Sequence, residues 1–517
     1  MRTMHTIKII SVLLLIPACI HGFTLTGLTF FSPRSQSTNA ARDLVGWHPY
    51  INLCCKEKVY GAVEITPEYG QSVRAHRIAN ALFSTQTLRI SGSEVANREE
   101  DDLLADFFGL SPSFDSTINL DPNIKTFQTD FGAYIGWNNF YFRFHAPAVW
   151  TRWQLSIYEE VADNGAGTPF PAGYMDVNAV QAPVQSFSQA ICCPVSFGQV
   201  HTPMKYGTFG CPQTLSGLSD LQMALGWNFV NSEDGRAGLN LRVTAPTGSR
   251  PTSRVLFEPI VGNGKHWEVG LGFSSQVMLW EKDNKQAVTF FADMNGMTLL
   301  KTLQHRAFDF TVNGWGSRYE LLKEFDDSGN YTGNLVPAIN VTTLPVNLGT
   351  AFQLDFAAMI GYTYNRVVID LGYNLWLRTH ENISLRSGIP SNRYALKGIQ
   401  NVATDPGGLP LITTQSTSLI TGDQLSEQAA VVDIDSPVFI DTCSLDLTTA
   451  VSPLVMTQKI FGHIGYAWKN WYDDGAAPYL GIGAEMEFEG INVRATEIQD
   501  KNTLSQWNVW IRGGWSF

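Results

Sequence analysis

Charged side chains that recur at alternate positions are the first residues here able to do chemistry. Arg143, Arg236, Arg242, Arg366, Arg378, Lys459 and Arg512 share that setting with Glu268, Asp293, Asp355, Asp370, Glu485 and Glu487, and His145 and His463 join them. Most are flanked by apolar, aromatic or small residues: Arg143 lies between Phe142 and Phe144, and Arg512 between Ile511 and Gly513. A period of two means strands with two unlike faces, so these charges gather on one side of a sheet. Arg152, Glu64 and Asp130 complete a set in which bases and acids are equally numerous, so neither sign sets a selectivity. Such a face either braces a narrow interior with salt bridges, the reading preferred here, or lines a path for ions and solutes.

Other chemistry is sparse. G-x-S-x-G, H-E-x-x-H, a phosphate-cradling glycine loop and an EF-hand run are all missing, so no cofactor, metal or catalytic residue is expected and the chain does not read as an enzyme. The formal net charge is −12, from 35 Lys and Arg against 47 Asp and Glu, which argues against a nucleic-acid partner. Of seven cysteines, Cys19 falls in an apparent leader. Cys54, Cys55, Cys192, Cys193, Cys211 and Cys443 remain, an even number that suits disulfides in an exported protein. Cys192 or Cys193 with Cys211 is the nearest plausible pair, Cys443 is a further candidate, and no C-x-x-C spacing supports zinc.

The elements that position the charges are strands in pairs. Phe127 to Trp137 and Phe140 to Ala148 alternate around an Asn138-Asn139 turn, and the same device recurs at 221–243, 267–294, 352–377 and 456–488. With Val59 to Thr66 and the closing stretch Trp507 to Phe517, this makes twelve strands. Segments 114–120 and 301–312 could raise the number to fourteen. Short turns alternate with long connections at 67–125, 158–219, 246–265, 297–350, 379–454 and 489–503. Trp137, Phe140, Trp280, Tyr364, Trp468 and Trp471 gather beside the short turns, as an interfacial girdle would. Met1 to Gly22 reads as a secretory leader, with Arg2 and Lys8 ahead of or beside an apolar run too short to span a bilayer. Residues 23–58 precede the first strand as a periplasmic segment or plug. Ser37 could cap a short helix there.

The last residues, Trp507-Asn508-Val509-Trp510-Ile511-Arg512-Gly513-Gly514-Trp515-Ser516-Phe517, end on an aromatic with apolar residues at alternate positions behind it. This stretch resembles the C-terminal signal of Gram-negative outer-membrane β-barrel proteins. The resemblance implies an all-β, antiparallel up-and-down transmembrane barrel over 59–517, multi-pass in a bacterial outer membrane. It also implies short periplasmic turns, long extracellular loops, membrane lipid as a partner, and recognition of the last strand by the barrel-assembly machinery. Trp507, Val509, Ile511, Trp515 and Phe517 should then face lipid, with Asn508, Trp510 and Arg512 inside. A secreted soluble β-sandwich is the competing fold, disfavoured because charges and glycines share the polar face.

A porin-like channel for an unidentified small solute is the leading expectation. The alternative is a surface adhesin or structural protein that uses the barrel as an anchor. Leu239 to Gly272 is faintly similar to transporters of fatty acids and aromatic compounds. Outer-membrane phospholipases place a His and a Ser together on one strand, whereas His145 is followed by Ala146-Pro147 and His463 by Ile464-Gly465. An omptin-like protease would draw on rim residues such as His305 or His380-Glu381, which read more simply as solvated polar groups.

Overall fold

The computed structural model describes residues 27–46, 59–96, 98, 102–283, 285–398, 437–470, 475–489 and 504–517. The expected leader, Cys54, Cys55 and Trp471 lie outside them.

Twelve antiparallel strands close into a barrel in chain order. They are β1 (Tyr60–Val73), β2 (Asp115–Trp137), β3 (Phe140–Asp163), β4 (Leu221–Asn231), β5 (Gly235–Ala245), β6 (Glu268–Lys282), β7 (Gln286–Arg306), β8 (Leu344–Tyr364), β9 (Val367–Arg378), β10 (Val455–Ala467), β11 (Ala477–Glu489) and β12 (Ser505–Ser516). The last strand closes on the first, with Val63 opposite Trp515 and Ala62 opposite Ser516. Phe517 and Gly61 exchange backbone hydrogen bonds of 2.9 and 3.0 Å at the seam. Closure leaves no ladder edge to lipid, the condition for a sheet to cross a bilayer.

Alternation decides which face is which. Phe127, Phe131 and Ile135 of β2 are exposed on the outside, while Gln128, Asp130 and Tyr134 between them are buried. In β12, Val509, Ile511, Trp515 and Phe517 are exposed, and Asn508, Trp510 and Arg512 are buried. Trp507 is half-buried, its ring 5.7 Å from that of Tyr69. Such an outward apolar belt, ringed at the short-turn end by exposed Trp137, Phe140, Trp280, Tyr364 and Trp468, is a surface built for lipid.

The inner face is flattened rather than filled. Aromatic rings lie across glycines of the neighbouring strand: Tyr141 covers Gly226, Phe461 covers Gly372 and Trp510 covers Gly483. A Cβ at Gly483 would sit 2.4 Å from the indole of Trp510. Each ring thereby lies along the wall and leaves the middle of the barrel open to something else.

Segments 114–120 and 301–312 add no pair of strands to the barrel. The first opens β2, and the second completes β7 as far as Arg306, where its pairing with β8 ends at Leu344. The strands outrun the membrane because their outer stretches remain hydrogen-bonded and turn apolar residues inward. Ile118, Leu120, Ile124, Trp153 and Leu155 join the long loops in one extensive apolar core. That core includes Leu82 of helix α2 (Ala75–Phe83), Phe187, Phe209, Phe257, Trp315 and Tyr319, and it caps the barrel at its long-loop end. A Cys192–Cys211 disulfide ties two cap segments, while Cys193 and Cys443 are free and exposed.

Candidate functional site

Residues 27–46 run along the inside of the barrel. At the cap end Phe31 packs on Trp153 and Phe257, with ring centroids 6.0 and 5.8 Å away. The backbone N–H of Leu28 donates to Ala81 O of α2 at 2.9 Å. At the other end the N–H of Gly46 donates to Asp370 at 2.9 Å. Gly46 has φ +68°, and a Cβ there would strike the His463 ring at 2.7 Å, so only glycine fits. Between these ends lies helix α1 (Ala40–Leu44), whose five residues are all buried. Its N-cap is Asn39, which accepts from the Arg42 N–H, and not Ser37. Ser37 instead meets Ser219 Oγ at 2.6 Å and donates to Asp220 O at 2.9 Å on the wall.

The segment is held chiefly by charge. Arg34 pairs with Asp355 at 2.8 Å and Glu487 at 3.4 Å, and donates to Asn374. Arg42 pairs with Glu68 at 3.2 Å and Asp130 at 3.5 Å. Asn39 donates to Glu485, and the Ala40 N–H to Asp355. Two wall arginines return the favour. Arg378 donates to Ser32 O at 2.8 Å, and Arg512 donates to the backbone oxygens of Val45 and Arg42 while pairing with Glu64 at 3.2 Å. Few of these residues have water to fall back on, so each group needs its protein partner.

The wall also braces itself. Arg143 of β3 reaches Asp293 of β7 at 2.9 Å although three strands separate them in the sheet. Lys459 pairs with Glu485 at 2.7 Å and lies 3.7 Å from Glu487. His145 meets Asp130, and His463 meets Asp370, each at 3.1 Å. Arg236 bonds Gln276. Arg242 is half-buried and donates from Nε to Asn240 at 3.0 Å, and Glu268 accepts from Thr244 and Asn263.

Arg366 departs from the expected set. It is the second residue of the two-residue turn between β8 and β9, exposed, and donates to the Tyr466 hydroxyl. Strand alternation does not carry through a tight turn, and Asn365 before it has φ +51°. Sequence reasoning missed Glu68, because it assigned 67–125 to a loop although β1 continues to Val73. It also missed Arg34 and Arg42, whose stretch shows no strand or helix period. Of the rim candidates, His380 is exposed whereas Glu381 is buried beside Arg306.

The cap holds a second buried polar cluster. The Lys397 amine sits 3.6 Å over the Tyr174 ring and donates to Gly398 O. Burial pulls its pKa down to about 7, although Asp106 acts in the opposite sense. Burial likewise raises Asp106 above the usual carboxylate range and Tyr174 above the usual phenol range. Among the described residues, two groups approach a metal-ligand arrangement: Cys192, Cys193 and Cys211, two of which are disulfide-bonded, and Asp43, Asp130 and His145, which Arg42 already neutralises in part.

No known family matches the sequence, and no curated protein does. Among solved structures, an outer membrane channel from Pseudomonas putida F1 aligns over 88% of this chain and 96% of its own, with 9% identity and a TM-score of 0.33. A Pseudomonas aeruginosa FadL homologue aligns over 94% and 98%, with 7% identity and a TM-score of 0.28. The Pseudomonas putida toluene transporter TodX aligns over 96% and 98%, with 8% identity and a TM-score of 0.27. Likeness at this level assigns no substrate. The closed wall, its apolar belt and its alternating short turns and long loops define the class: this is a multi-pass β-barrel protein of the bacterial outer membrane.

Proposed function

We propose that the protein is an outer-membrane channel for small solutes in which residues 27–46 form a displaceable plug. One observation carries this reading. The inner wall spends glycines on laying its aromatic rings flat, and the space so kept is occupied by a separate segment held largely through charged and hydrogen-bonded groups. A barrel serving only as an anchor could fill its interior with its own bulky side chains. Ionic contacts suit a part that must leave, because water can replace them once the segment moves.

A second reading has its own support. The long loops fold into a body with an extensive apolar core, which is what a surface-binding protein anchored by a barrel would need. Liposome swelling with small neutral sugars separates the two. Channel function predicts swelling that scales inversely with sugar size. Absence of swelling for every sugar, with cap deletions abolishing attachment to a surface partner, would support the anchor instead.

A further inference from the structure

Three sulfurs meet at one point of the cap. Helix α3 (Phe187–Cys192) ends on Cys192, which is bridged to Cys211 with Cα atoms 5.6 Å apart. Cys193, the residue after the helix, is free and exposed, and its Sγ lies 4.0 Å from Cys192 Sγ. All three Sγ atoms lie within 4.8 Å of one another. An exposed side chain changes rotamer within nanoseconds, so the free thiol can approach either end of the bridge.

A thiol beside a disulfide is a nucleophile beside its own substrate. Attack at Cys192 would bridge adjacent residues, whose Cα atoms are about 3.8 Å apart, short of the roughly 4.4–6.8 Å that disulfides span. Attack at Cys211 joins two separate segments instead. Gly210, with φ +95°, lets its segment lie against the end of α3: a Cβ there would come 2.9 Å from Ile157 Cδ1 and 3.9 Å from Cys192 Cβ. The helix is anchored independently of the bridge. The N–H groups of Phe187 and Ser188 donate to Glu159 at 2.7 and 2.9 Å, and Phe187, Ala190 and Ile191 belong to the apolar core. Chain entropy favours neither partner for Cys211. Cys192 is 19 residues from it in sequence and Cys193 one fewer, and the cost of closing a loop varies only with the logarithm of its length.

We propose that Cys192, Cys193 and Cys211 form an intramolecular thiol–disulfide exchange site, in which Cys193 takes Cys211 from Cys192. The Cys193 thiolate attacks Cys211 Sγ, and the Cys193–Cys211 bond forms as the Cys192–Cys211 bond breaks. Cys192 leaves as a thiolate and takes up a proton in place of the one that Cys193 gave to solvent. One disulfide and one thiol stand on each side, so no oxidant or reductant is consumed. The exchange decides whether the cap shows its thiol on exposed Cys193 or keeps it on half-buried Cys192. Cys443 is the internal comparison, free and exposed as well but in no such group among the described residues. The site lies in the cap and goes beyond the channel reading, holding whether or not the barrel conducts.

The test is disulfide mapping by mass spectrometry of the purified full-length protein, with N-ethylmaleimide as the thiol probe. One sample is held at about pH 8, where free thiols are partly ionised, then acidified to freeze its bridges and labelled with excess probe. A second is labelled slowly at the same pH with dilute probe. Fragmentation between residues 192 and 193 shows which of them carries the label. The frozen sample should contain both isomers, neither below about a tenth of the protein, because loop length separates them so little. Slow labelling should collect nearly all of the protein as the isomer labelled on Cys193, since exchange keeps resupplying the exposed thiol. Cys443 should be labelled equally in both samples. A single isomer in the frozen sample, or the same isomer ratio in the two samples, would overturn the proposal. Cys192→Ser and Cys193→Ser, each with the heat-modifiable mobility of a folded barrel, should both keep Cys211 bridged. Labelling of Cys211 in folded Cys192→Ser would sink the proposal too, because Cys193 then cannot reach it.

Discussion

Replacing Arg42 by Met should release the plug without dismantling the barrel. Arg42 is fully buried on α1 and faces Glu68 at 3.2 Å and Asp130 at 3.5 Å, both buried. Asp130 keeps His145 at 3.1 Å, but Glu68 loses its only close cation among the described residues. Breaking a buried pair from one side costs about 3–5 kcal/mol, because the remaining charge is left uncompensated. The barrel can avoid that cost by letting the segment go and admitting water. A penalty of about 3 kcal/mol on the plugged state raises the displaced population on the order of a hundredfold. Planar-bilayer recording is the assay: R42M should open far more often than wild type, with the unit conductance of an unplugged barrel. Removing the one acid left without a close cation as well, in R42M/E68Q, should bring opening back toward the wild-type level, while Asp130 keeps His145. If R42M records like wild type and its segment 27–46 is cut by added protease no faster, the ionic latch is wrong.

Two further outcomes follow from the same structure. The Lys397 amine is neutral in the fold above about pH 7 and protonated in the unfolded chain until its ordinary value of 10.5. The unfolded state therefore binds more protons between those values, and stability of the cap should rise with pH across that window, by up to about 1.4 kcal/mol per unit. Lys397→Met should remove that slope and raise the melting temperature at neutral pH, read by near-ultraviolet circular dichroism; an unchanged slope refutes the assignment. Ile482 is 56% exposed at the middle of β11, with its side chain toward lipid. Ile482→Lys should destabilise the folded barrel by about 2–4 kcal/mol in lipid, measured by urea titration in vesicles, and a change below about 0.5 kcal/mol would contradict the assigned lipid face.

How much of this could be read from the sequence depends on how locally each feature is encoded. The twelve strands and their facing were legible because one face meets lipid and the other does not, which writes period two into residues such as Phe127 to Trp137. Even the seam was legible, since the parity of Val509 and Ile511 fixes Trp510 and Arg512 as internal. The plug was not. Arg34 and Arg42 are recognised by acids from β1, β2, β8 and β11, so its conformation is set by barrel closure and not by any period of its own. Ser37 illustrates the same point: its hydroxyl looked like a helix cap but is used on the wall at Ser219 and Asp220, and Asn39 caps the helix. Arg366 failed in the other direction, because counting by twos runs on into a turn where the backbone no longer alternates. The cap was less legible, because its core joins residues as distant as Phe31 and Leu504.

The most direct test of the account is the single-channel conductance of the barrel with residues 27–46 deleted, recorded beside the full-length protein under the same salt and voltage. A stable, large conductance for the deletion, against a small or rarely open one for the full-length chain, is the predicted result. A folded deletion variant that conducts no more than the full-length protein would contradict the account, because the wall would then close its own lumen.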